Sequence, residues 1–453
     1  MTGTIAVVNP ATQKVVREVD EAGEAETDAA VARARAAFPA WRDVAPGDRA
    51  RLMRRFAALV DAHKEELARL ECANSGHPIA SARGEASNVA DVFEYYAAAP
   101  QRMSGRQIPV PGGLNVTFAE PFGVVGVIVP WNFPMPILAW GAAPALAAGN
   151  TVVVKPAELT PLTAMRLGEL ALEAGFPEGV LQVVVGAGNV AGARLAAHPD
   201  VRKIVFTGST EVGREIMTSA ADTIKRVTLE LGGNSANVVF ADADLAEAAR
   251  TAPFAAFDNA GQDCCARSRI LVQREVYDEF LSLLEPAVRG VVVGDPIEEA
   301  TQMGPLISAD HHARVSRYLV REPDIRGACP AGPGYFMAPA VYAAVDDADP
   351  IWTDEVFGPV AAVAPFDDEA DAVAKANATP YGLSGSIWTR DVGRALRMAR
   401  AVEAGNLSVN SHASVRYWTP FGGMKQSGLG RELGPDAVDA FADVKNVFIA
   451  TEE

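Results

Sequence analysis

The first hundred residues show a helical pattern of hydrophobic and polar positions after a short strand-like opening. Residues 28–38 and 48–73 carry apolar side chains at spacings of three and four, and residues 87–99 continue the pattern. This spacing places the apolar side chains on one face of an amphipathic helix. We therefore predict that this part of the chain is mainly helical.

The pattern changes after residue 105. Residues 106–120 combine a Pro/Gly-rich stretch with alternating Val116 and Phe118, which is typical of a β-hairpin. From Val124 onward, short runs of β-branched residues alternate with helical windows, which predicts βαβ units on a parallel sheet. The predicted strands are residues 124–129, 151–154, 181–185 and 203–206, and the predicted helices are residues 138–148, 162–174, 191–197 and 211–219. Such a layer suits the binding of a nucleotide.

A second α/β block is predicted from about Gly232. Strand-like segments recur there at residues 237–240, 270–272, 361–364 and 407–409. The sequence has no Gly/Ser-rich linker, low-complexity tract or internal repeat. We therefore predict an α/β protein whose domains pack directly against each other.

Length and charge narrow the classes of function. The 453 residues correspond to about three domains at about 150 residues each. With 49% hydrophobic and 21% charged residues, the chain has the composition of a globular protein and not of a disordered or fibrous one. The net charge of −17 opposes binding to nucleic acid or to an anionic membrane surface, so we expect neither as a partner.

The 4 cysteines and 6 histidines carry no metal-binding spacing. Neither a C-x-x-C nor an H-E-x-x-H motif occurs, so we predict no metal site and no disulfide framework. We read the histidines as structural or exposed. Reduced thiols fit a cytoplasmic protein, which is the expected location.

Two glycine-containing turns are candidates for binding a phosphate. Residues 186–192 follow a strand but lack the third glycine of a G-x-G-x-x-G motif, because Ala191 stands there. A plain strand-to-helix turn is the alternative. Gly208 and Ser209 are better candidates, since backbone N–H groups and a hydroxyl at a helix N-terminus favour a pyrophosphate.

Three residues are candidates for chemistry. Cys264, which precedes Cys265, is a candidate nucleophile, and a position at a helix N-terminus would lower its pKa. Glu230 is a candidate general base, and Asn132 is a candidate donor to an oxyanion. The alternatives are a packing cysteine, a solvated glutamate and an asparagine that caps a turn.

Several short motifs occur in order along the chain. They are residues 130–134 (PWNFP), 155–158 (KPAE), 206–213 (FTGSTEVG), 230–233 (ELGG), 261–264 (GQDC), 355–359 (EVFGP) and 420–432 (PFGGMKQSGLGRE). Together they resemble the motifs of the aldehyde dehydrogenase superfamily, and the resemblance covers essentially the whole chain. It implies a Rossmann-like cofactor domain, an α/β catalytic domain and a β-hairpin oligomerisation element.

The resemblance also implies where these parts begin and end. The cofactor-binding domain is expected at residues 1–102 and 122–231, and the catalytic domain at residues 232–430. Residues 103–121 and 431–453 are expected to form the oligomerisation element. A homodimer or a homotetramer is the expected assembly.

The same resemblance implies roles for individual residues. Cys264 becomes the nucleophile that attacks an aldehyde, Glu230 the base, and Asn132 with the Cys264 backbone N–H the oxyanion hole. NAD is the expected cofactor, with NADP left open. The residues expected to bind it are Trp131, Lys155, Glu158, Gly208, Ser209, Gly232, Glu355 and Phe357. The loop at residues 186–192 then becomes a wall of the cleft near the adenine.

The expected substrate tunnel is mostly aromatic. The residues expected to line it are Phe133, Met135, Trp140, Phe257, Asp258, Asp263, Trp418 and Phe421. Asp263 beside aromatic rings would suit an ammonium group, and the local motifs are similar to those of aminobutyraldehyde dehydrogenases. The specific hypothesis is an ω-aminoaldehyde such as 4-aminobutanal.

Alternatives stay open at this point. Asp263 could belong to a hydrogen-bond network in a broad-specificity aliphatic or aromatic aldehyde dehydrogenase. A semialdehyde dehydrogenase would need an arginine in the tunnel, for which Arg267 and Arg416 are the candidates. A cysteine hydrolase or esterase is the alternative from a different class.

Overall fold

The structure is a computed structural model, and it describes residues 3–451. The strands are β1 (Thr4–Val8), β2 (Val15–Asp20), β3 (Gln107–Val110), β4 (Gly113–Pro121), β5 (Val124–Val129), β6 (Thr151–Pro156), β7 (Leu181–Val183), β8 (Val201–Thr207), β9 (Arg226–Glu230), β10 (Ala236–Val239), β11 (Arg269–Gln273), β12 (Ile325–Arg326), β13 (Ala340–Ala343), β14 (Val360–Phe366), β15 (Tyr381–Gly382), β16 (Ser384–Trp388), β17 (Asn406–Val409), β18 (Met424–Lys425), β19 (Gly428–Leu429) and β20 (Ala442–Ala450). The α-helices are α1 (Glu24–Arg42), α2 (Pro46–Ala62), α3 (Lys64–Ser75), α4 (Ile79–Ala97), α5 (Pro134–Ala148), α6 (Leu162–Glu173), α7 (Ala193–Ala197), α8 (Thr210–Ala221), α9 (Leu245–Phe257), α10 (Tyr277–Arg289), α11 (Ala309–Ser316), α12 (Pro350–Thr353), α13 (Glu369–Asn377) and α14 (Val392–Ala401).

The first large sheet has 6 strands in the order β19-β9-β8-β5-β6-β7. All pairs are parallel except β19 with β9. Every residue of β5 and β6 is buried, as expected for central strands covered by helices on both faces. The chain order reverses between β5 and β8, and in such sheets ligands bind beside this point at the carboxyl ends of the strands.

The second large sheet has 7 strands in the order β12-β13-β14-β11-β10-β16-β17. Its pairs are parallel except β12 with β13. The two sheets have separate hydrophobic cores, one around α2, α4, α5 and β5, and one around α9, α10, β11 and β14. The predicted α/β class with two packed blocks is confirmed.

A third, antiparallel sheet has the order β20-β4-β3. The predicted hairpin at residues 106–120 is β3 and β4, and β20 pairs with β4 along its whole length. Apolar side chains on this sheet remain exposed, including Phe118, Val444 and Phe448. The sheet therefore has an apolar surface and two edge strands.

Several elements differ from the sequence prediction. β9 and β16 were not predicted, because the charged ends of β9 and the Ser-Gly-Ser start of β16 hide their strand character. Residues 428–429 lie in the segment predicted to be catalytic, yet as β19 they pair with β9 in the first sheet. The chain therefore returns to the first sheet before it forms β20, and the other domain boundaries stay predictions.

Candidate active site

Cys264 lies on the segment at residues 258–268, which joins α9 to β11. Asn259 and Ala260 have positive φ angles of 50° and 55°, which are uncommon for residues other than glycine. The Asn259 side chain donates from Nδ2 to the backbone oxygen of Asn132 at 2.8 Å. The loop is thus strained, and it is tied to the segment that follows β5.

Glu230 is the last residue of β9, in the first sheet, whereas Cys264 precedes β11 of the second sheet. Both side chains line one cavity of about 450 Å³. The fold therefore brings together the predicted nucleophile and the predicted base. Neither sheet alone contains both groups.

The resting Cys264 thiol holds its proton tightly. A hydrogen bond with Cys265 and burial raise the pKa of Cys264 well above the ordinary value of a thiol. The sequence analysis expected a helix N-terminus to lower this pKa, but Cys264 lies in a turn with no helix beginning at it. The expectation of a lowered pKa is therefore wrong, and the thiol needs a base to become a nucleophile.

Glu230 is 2% exposed, and neither of its carboxyl oxygens has a hydrogen-bond partner among residues 3–451. Burial raises the pKa of Glu230 well above its ordinary value, and the nearby charge of Glu432 adds to this effect. The charge of Arg431 and the Gly423 N–H oppose this rise in pKa more weakly. The Gly423 N–H is not placed well enough to form a hydrogen bond with the Glu230 carboxyl group. Glu230 is therefore a proton-holding acid in the resting site and a strong base once ionised.

Glu432 was missed by the sequence analysis, although it ends the last motif used there. It lines the same cavity, and its two carboxyl oxygens also lack a partner in the described part of the chain. Burial raises its pKa to about 8. Behind it, burial lowers the pKa of Lys203 to about 8, and the Lys203 ammonium donates to Thr228 Oγ1 at 2.8 Å. Only the fold reveals this cluster, because its members are far apart in sequence.

Asn132 is 5% exposed and follows β5. Its side-chain Nδ2 donates to the backbone oxygen of Gln262 at 3.0 Å, two residues before Cys264. An amide nitrogen has two hydrogens, so the second stays available for an oxyanion. Asn132 is close to the nucleophile, but it is not among the residues that line the cavity.

The predicted cofactor residues cluster where strands of the first sheet end. Trp131 follows β5, Lys155 and Glu158 lie at the end of β6, Gly208 and Ser209 follow β8, and Gly232 follows β9. Lys155 Nζ, in a side chain that is almost fully buried, contacts Glu158 Oε2 at 3.1 Å. Although partial burial opposes it, the Lys155 ammonium lowers the pKa of Glu158. A paired ammonium and carboxylate therefore lie at this edge of the sheet.

The two phosphate candidates take different places. Ser209 caps α8, because its Oγ accepts a hydrogen bond from the Val212 N–H at 3.3 Å. The other loop forms a short helical turn at Gly188–Gly192, and its glycines lie against the Lys155 side chain. At the second candidate, Ser209 and the first three residues of α8 are exposed or half-buried, as binding of a pyrophosphate at a helix N-terminus requires.

Glu355 and Gly232 approach each other closely. The Gly233 N–H donates to Glu355 Oε1 at 2.9 Å, and a side chain at Gly232 would collide with Glu355 Oε2. Burial raises the pKa of Glu355 to about 7, with the Gly233 N–H opposing the rise. A side chain at Gly232 would therefore displace the Glu355 carboxylate from its present position.

Phe357 has a positive φ of 58° and packs edge-on against Trp131, with ring centroids 5.4 Å apart. His311, which the sequence analysis regarded as structural, completes this aromatic cluster and bonds through Nε2 to the Phe357 backbone oxygen at 2.7 Å. Burial lowers the pKa of His311 to about 4, so its ring is neutral at pH 7. The cluster provides an uncharged, mainly aromatic surface.

The structure places only part of the expected tunnel in the cavity. Phe133, Trp140, Asp258, Asp263 and Phe421 line it. Met135 is fully buried in the first hydrophobic core, since α5 is apolar on all sides, and it is not among the residues that line the cavity. Phe257 is buried and lines a neighbouring groove, whereas Trp418 is 50% exposed.

Further cavity residues were not predicted. His77 and Glu85 are both buried, and His77 Nδ1 lies 2.5 Å from Glu85 Oε1. Arg267, which the sequence analysis named as a candidate tunnel arginine of a semialdehyde dehydrogenase, also lines the cavity, but its guanidinium donates to the Cys265 backbone oxygen and to Ser414 Oγ. His77 and Glu85 come from a segment that contains none of the motifs.

Asp263 is part of the turn that carries the nucleophile. Its Oδ1 accepts a hydrogen bond from the Cys265 N–H at 2.8 Å. Burial raises the pKa of Asp263, and this N–H opposes the rise. Asp263 therefore makes a local hydrogen bond within its own turn and also faces the cavity.

Comparisons with known proteins agree with this geometry. The chain matches the aldehyde dehydrogenase family over residues 1–447. It is 42% identical to phenylacetaldehyde dehydrogenase from Pseudomonas fluorescens over 466 aligned positions, which cover 99% of this chain and 93% of the relative.

Solved structures give the same result. The crystal structure of PnpE, a protein of Pseudomonas sp. WBC-3, in complex with nicotinamide adenine dinucleotide has a TM-score of 0.97 and 41% identity, covering 100% of this chain and 95% of that one. Betaine aldehyde dehydrogenase from Staphylococcus aureus in complex with NAD+ has a TM-score of 0.96 and 35% identity, covering 100% of this chain and 92% of that one. Across residues 3–451, no helix is both long and apolar enough to cross a membrane. The family match, the fold and the cavity shared by Cys264 and Glu230 agree, and the chain belongs to the aldehyde dehydrogenase family.

Proposed function

We propose that this protein oxidises an aldehyde to a carboxylate through a thioester on Cys264, with NAD as the hydride acceptor. The observation that carries the proposal is the single cavity lined by both Cys264 and Glu230. A nucleophile and a base that lie together in a buried space can perform acyl chemistry on a bound carbonyl.

The residues at the carboxyl edge of the first sheet fit a dinucleotide. Lys155 and Glu158 can bind the hydroxyls of a ribose, and the exposed N–H groups at Ser209 can bind a pyrophosphate. Glu355 can bind a second ribose, and Phe357 can pack against a flat ring. NAD supplies the hydride-accepting ring when it is bound.

The protein residues account for the remaining steps. The Cys264 thiol gives its proton to a water in the cavity, and its Sγ forms a bond to the carbonyl carbon. The second Asn132 amide hydrogen stabilises the oxygen that becomes negative; such a donor typically contributes about 3 kcal/mol. The hydride that leaves this carbon would pass to bound NAD, and a thioester would remain on Cys264. Glu230 then removes a proton from water, the water oxygen bonds to the carbonyl carbon, and the C–S bond breaks to give the carboxylate and Cys264.

The first test compares two neighbouring cysteines. Cys264→Ala should abolish the formation of reduced nicotinamide with an aldehyde, whereas Cys265→Ala should retain it. Equal loss in both variants would overturn the assignment. The gain in absorbance of the reduced nicotinamide also separates this function from a cysteine hydrolase, which needs no cofactor.

NAD is proposed over NADP because of Glu158. Its carboxylate can accept a hydrogen bond from a free 2′-hydroxyl and would repel a 2′-phosphate. The ratio of kcat/KM for the two cofactors, in the wild type and in Glu158→Gln, tests this. A preference for NADP in the wild type would overturn it.

For the substrate we propose an ω-aminoaldehyde, and the structure favours Asp258 over Asp263 as the receptor of the ammonium group. Asp258 lines both the cavity and a groove of about 730 Å³ between α9 and α10, so it lies where the two spaces meet. Burial and the charge of Asp263 raise the pKa of Asp258 to about 7. A cationic amine would relieve the repulsion between the two carboxylates. The rings of Trp140 and Phe421, whose centroids are 5.3 Å apart, offer apolar contacts to the carbon chain of the substrate.

The substrate test compares 4-aminobutanal with butanal. The wild type should prefer the amine by about tenfold in kcat/KM, or about 1.4 kcal/mol, and Asp258→Asn should lose that preference. Asp263→Asn is the matched variant at the second carboxylate. Equal rates for both aldehydes in the wild type would favour the alternative, a broad-specificity enzyme that uses the aromatic walls.

A homodimer or homotetramer is proposed from the three-stranded sheet. The apolar side chains of β4 and β20, including Phe118 and Phe448, are exposed to water in the single chain. Contact with a second copy of the chain would bury them. Light scattering coupled to size-exclusion chromatography measures the assembly. Phe448→Glu should favour smaller species, and a monomeric wild type would overturn the proposal.

A further inference from the structure

Three adjacent residues form a cluster of potential metal ligands. One carboxylate oxygen of Asp263 and the Sγ atoms of Cys264 and Cys265 all lie within 4.8 Å of one another. In a strand, consecutive side chains would point to opposite faces. Here the chain turns, and the hydrogen bond from the Cys265 N–H to Asp263 Oδ1 holds the turn closed.

We propose that Asp263, Cys264 and Cys265 bind a thiophilic divalent cation such as Zn²⁺, and that the bound cation reversibly blocks the nucleophile. Zinc bonds to thiolate sulfur at about 2.3 Å and to carboxylate oxygen at about 2.0–2.2 Å, so donors around one tetrahedral ion are about 3.5–3.8 Å apart. The present separations come within about 1 Å of that arrangement, which side-chain rotation can supply. The site is inhibitory and is not a resident cofactor site.

A second observation points to a ligand at this place. Glu230 is 2% exposed, lines the same cavity and has two carboxyl oxygens without a partner among the described residues. Cys264 and Cys265 line this cavity too, so the Glu230 carboxyl group and both thiols face one space. Glu230 or a water can therefore complete the four ligands of a tetrahedral ion.

The chemistry involves no redox change. The cation displaces one proton from each thiol, forms two metal–sulfur bonds and engages the Asp263 carboxylate. The Cys264 lone pair that would attack a carbonyl is then bound to metal. Because protons are released, binding strengthens as pH rises, and a chelator reverses it.

The binding test does not depend on activity. Cadmium added to the protein without cofactor should produce the ultraviolet charge-transfer absorption of two thiolates per site. Cys265→Ala should give the absorption of one, and Cys265→Ser keeps the side-chain volume if the alanine variant folds poorly. Cys329→Ala, which removes the exposed cysteine, is the matched control and should retain the two-thiolate site at the cavity.

The inhibition test rests on the proposed function, since it requires Cys264 to be the nucleophile. The Zn²⁺ concentration that inhibits the wild type should be at least about tenfold lower than the concentration that inhibits Cys265→Ser. Each protein is compared with its own rate in the absence of Zn²⁺. The reason for this size is that loss of even an outer partner of a metal ligand typically lowers the affinity for the metal by that factor. Equal cadmium spectra in the wild type and both Cys265 variants would overturn the site. If Cys264→Ala retained oxidation, the proposed function would fail while the spectral result could still stand.

Discussion

Two pairs of buried ionisable groups line the same cavity, and they differ in kind. Glu230 and Glu432 carry like charges, and none of their oxygens has a partner in the part of the chain that the structure describes. His77 and Glu85 carry opposite charges and share one bond of 2.5 Å. Burial disfavours the charged form of all four side chains. Only in the second pair do an opposite charge and a hydrogen bond between the two members offset this cost.

The difference shows in the protonation of each pair. Burial and mutual repulsion raise the pKa of Glu230 well above its ordinary value, so its neutral form is favoured. For His77, burial opposes charging, but the charge of Glu85 and their hydrogen bond outweigh it and raise the pKa to about 9. The carboxyl groups of the first pair can therefore give and take protons, whereas His77 is held charged by its partner and the second pair stabilises the wall of the cavity.

The largest expected effect comes from removing the base of the first pair. Glu230→Gln should lower kcat by about 10²–10⁴-fold, the typical contribution of general base catalysis. The thioester should still form, so rapid mixing should show a burst of about one reduced nicotinamide per site followed by slow turnover.

Glu85→Gln, in the second pair, is the matched control for that experiment. It should lose far less activity and show no burst followed by slow turnover. Similar kinetics in Glu230→Gln and Glu85→Gln would contradict the roles given to the two pairs. The first pair would then not be the one that transfers protons, or the second would not be limited to stabilising the cavity wall.

The next largest effect concerns stability. In the folded protein the pKa of His77 is about 9, against about 6.5 in the unfolded chain. A raised folded pKa stabilises the protein fully below about pH 6.5, and this stabilisation is lost as pH rises through about 9. Denaturant unfolding of Glu85→Gln should therefore show a loss of about 3 kcal/mol near pH 6 that shrinks toward pH 10.

The control for stability is an exposed pair. Glu299 is 70% exposed and bonds to Arg83, so Glu299→Gln should change the free energy of unfolding by about 0–1 kcal/mol. A loss in Glu85→Gln that does not change with pH would show that the pair contributes packing and no charge.

These two pairs also show which residues of the site can be predicted from the sequence and which cannot. Cys264 and Glu230 were predictable, because each lies in a short motif whose neighbours are adjacent in sequence. His77 and Glu85 are only 8 residues apart in sequence, but neither lies in a motif. Glu432 lies far from both along the chain, and the three line one cavity only in the folded protein. Which groups surround the cavity is therefore set by tertiary structure, which no local pattern reports.

The fold follows the same rule. The buried runs of β5, β6, β8 and β11 were predicted because β-branched residues mark them directly. β16 is equally buried but begins with Ser-Gly-Ser, whose small polar residues have no strand signal. Met135 was expected in the cavity, yet α5 is apolar all round, so its sequence could not show which side faces the substrate.

The smallest expected effect separates the two members of the first pair. A charge on Glu432 raises the pKa of Glu230, so Glu432→Gln should lower the pKa of Glu230 while leaving the base itself in place. Deprotonated Glu230 would then persist at lower pH. The acid limb of the pH profile of kcat should shift down by about one unit, equivalent to about 1.4 kcal/mol, provided that deacylation limits the rate. An isotope effect in D₂O checks that condition.

If Glu432 served only to pack the cavity wall, Glu432→Gln would change the rate by the same factor at every pH. A shift to higher pH would show that Glu432 acts as a hydrogen-bond donor that stabilises the ionised form of Glu230, and the like-charge description of this pair would then be wrong.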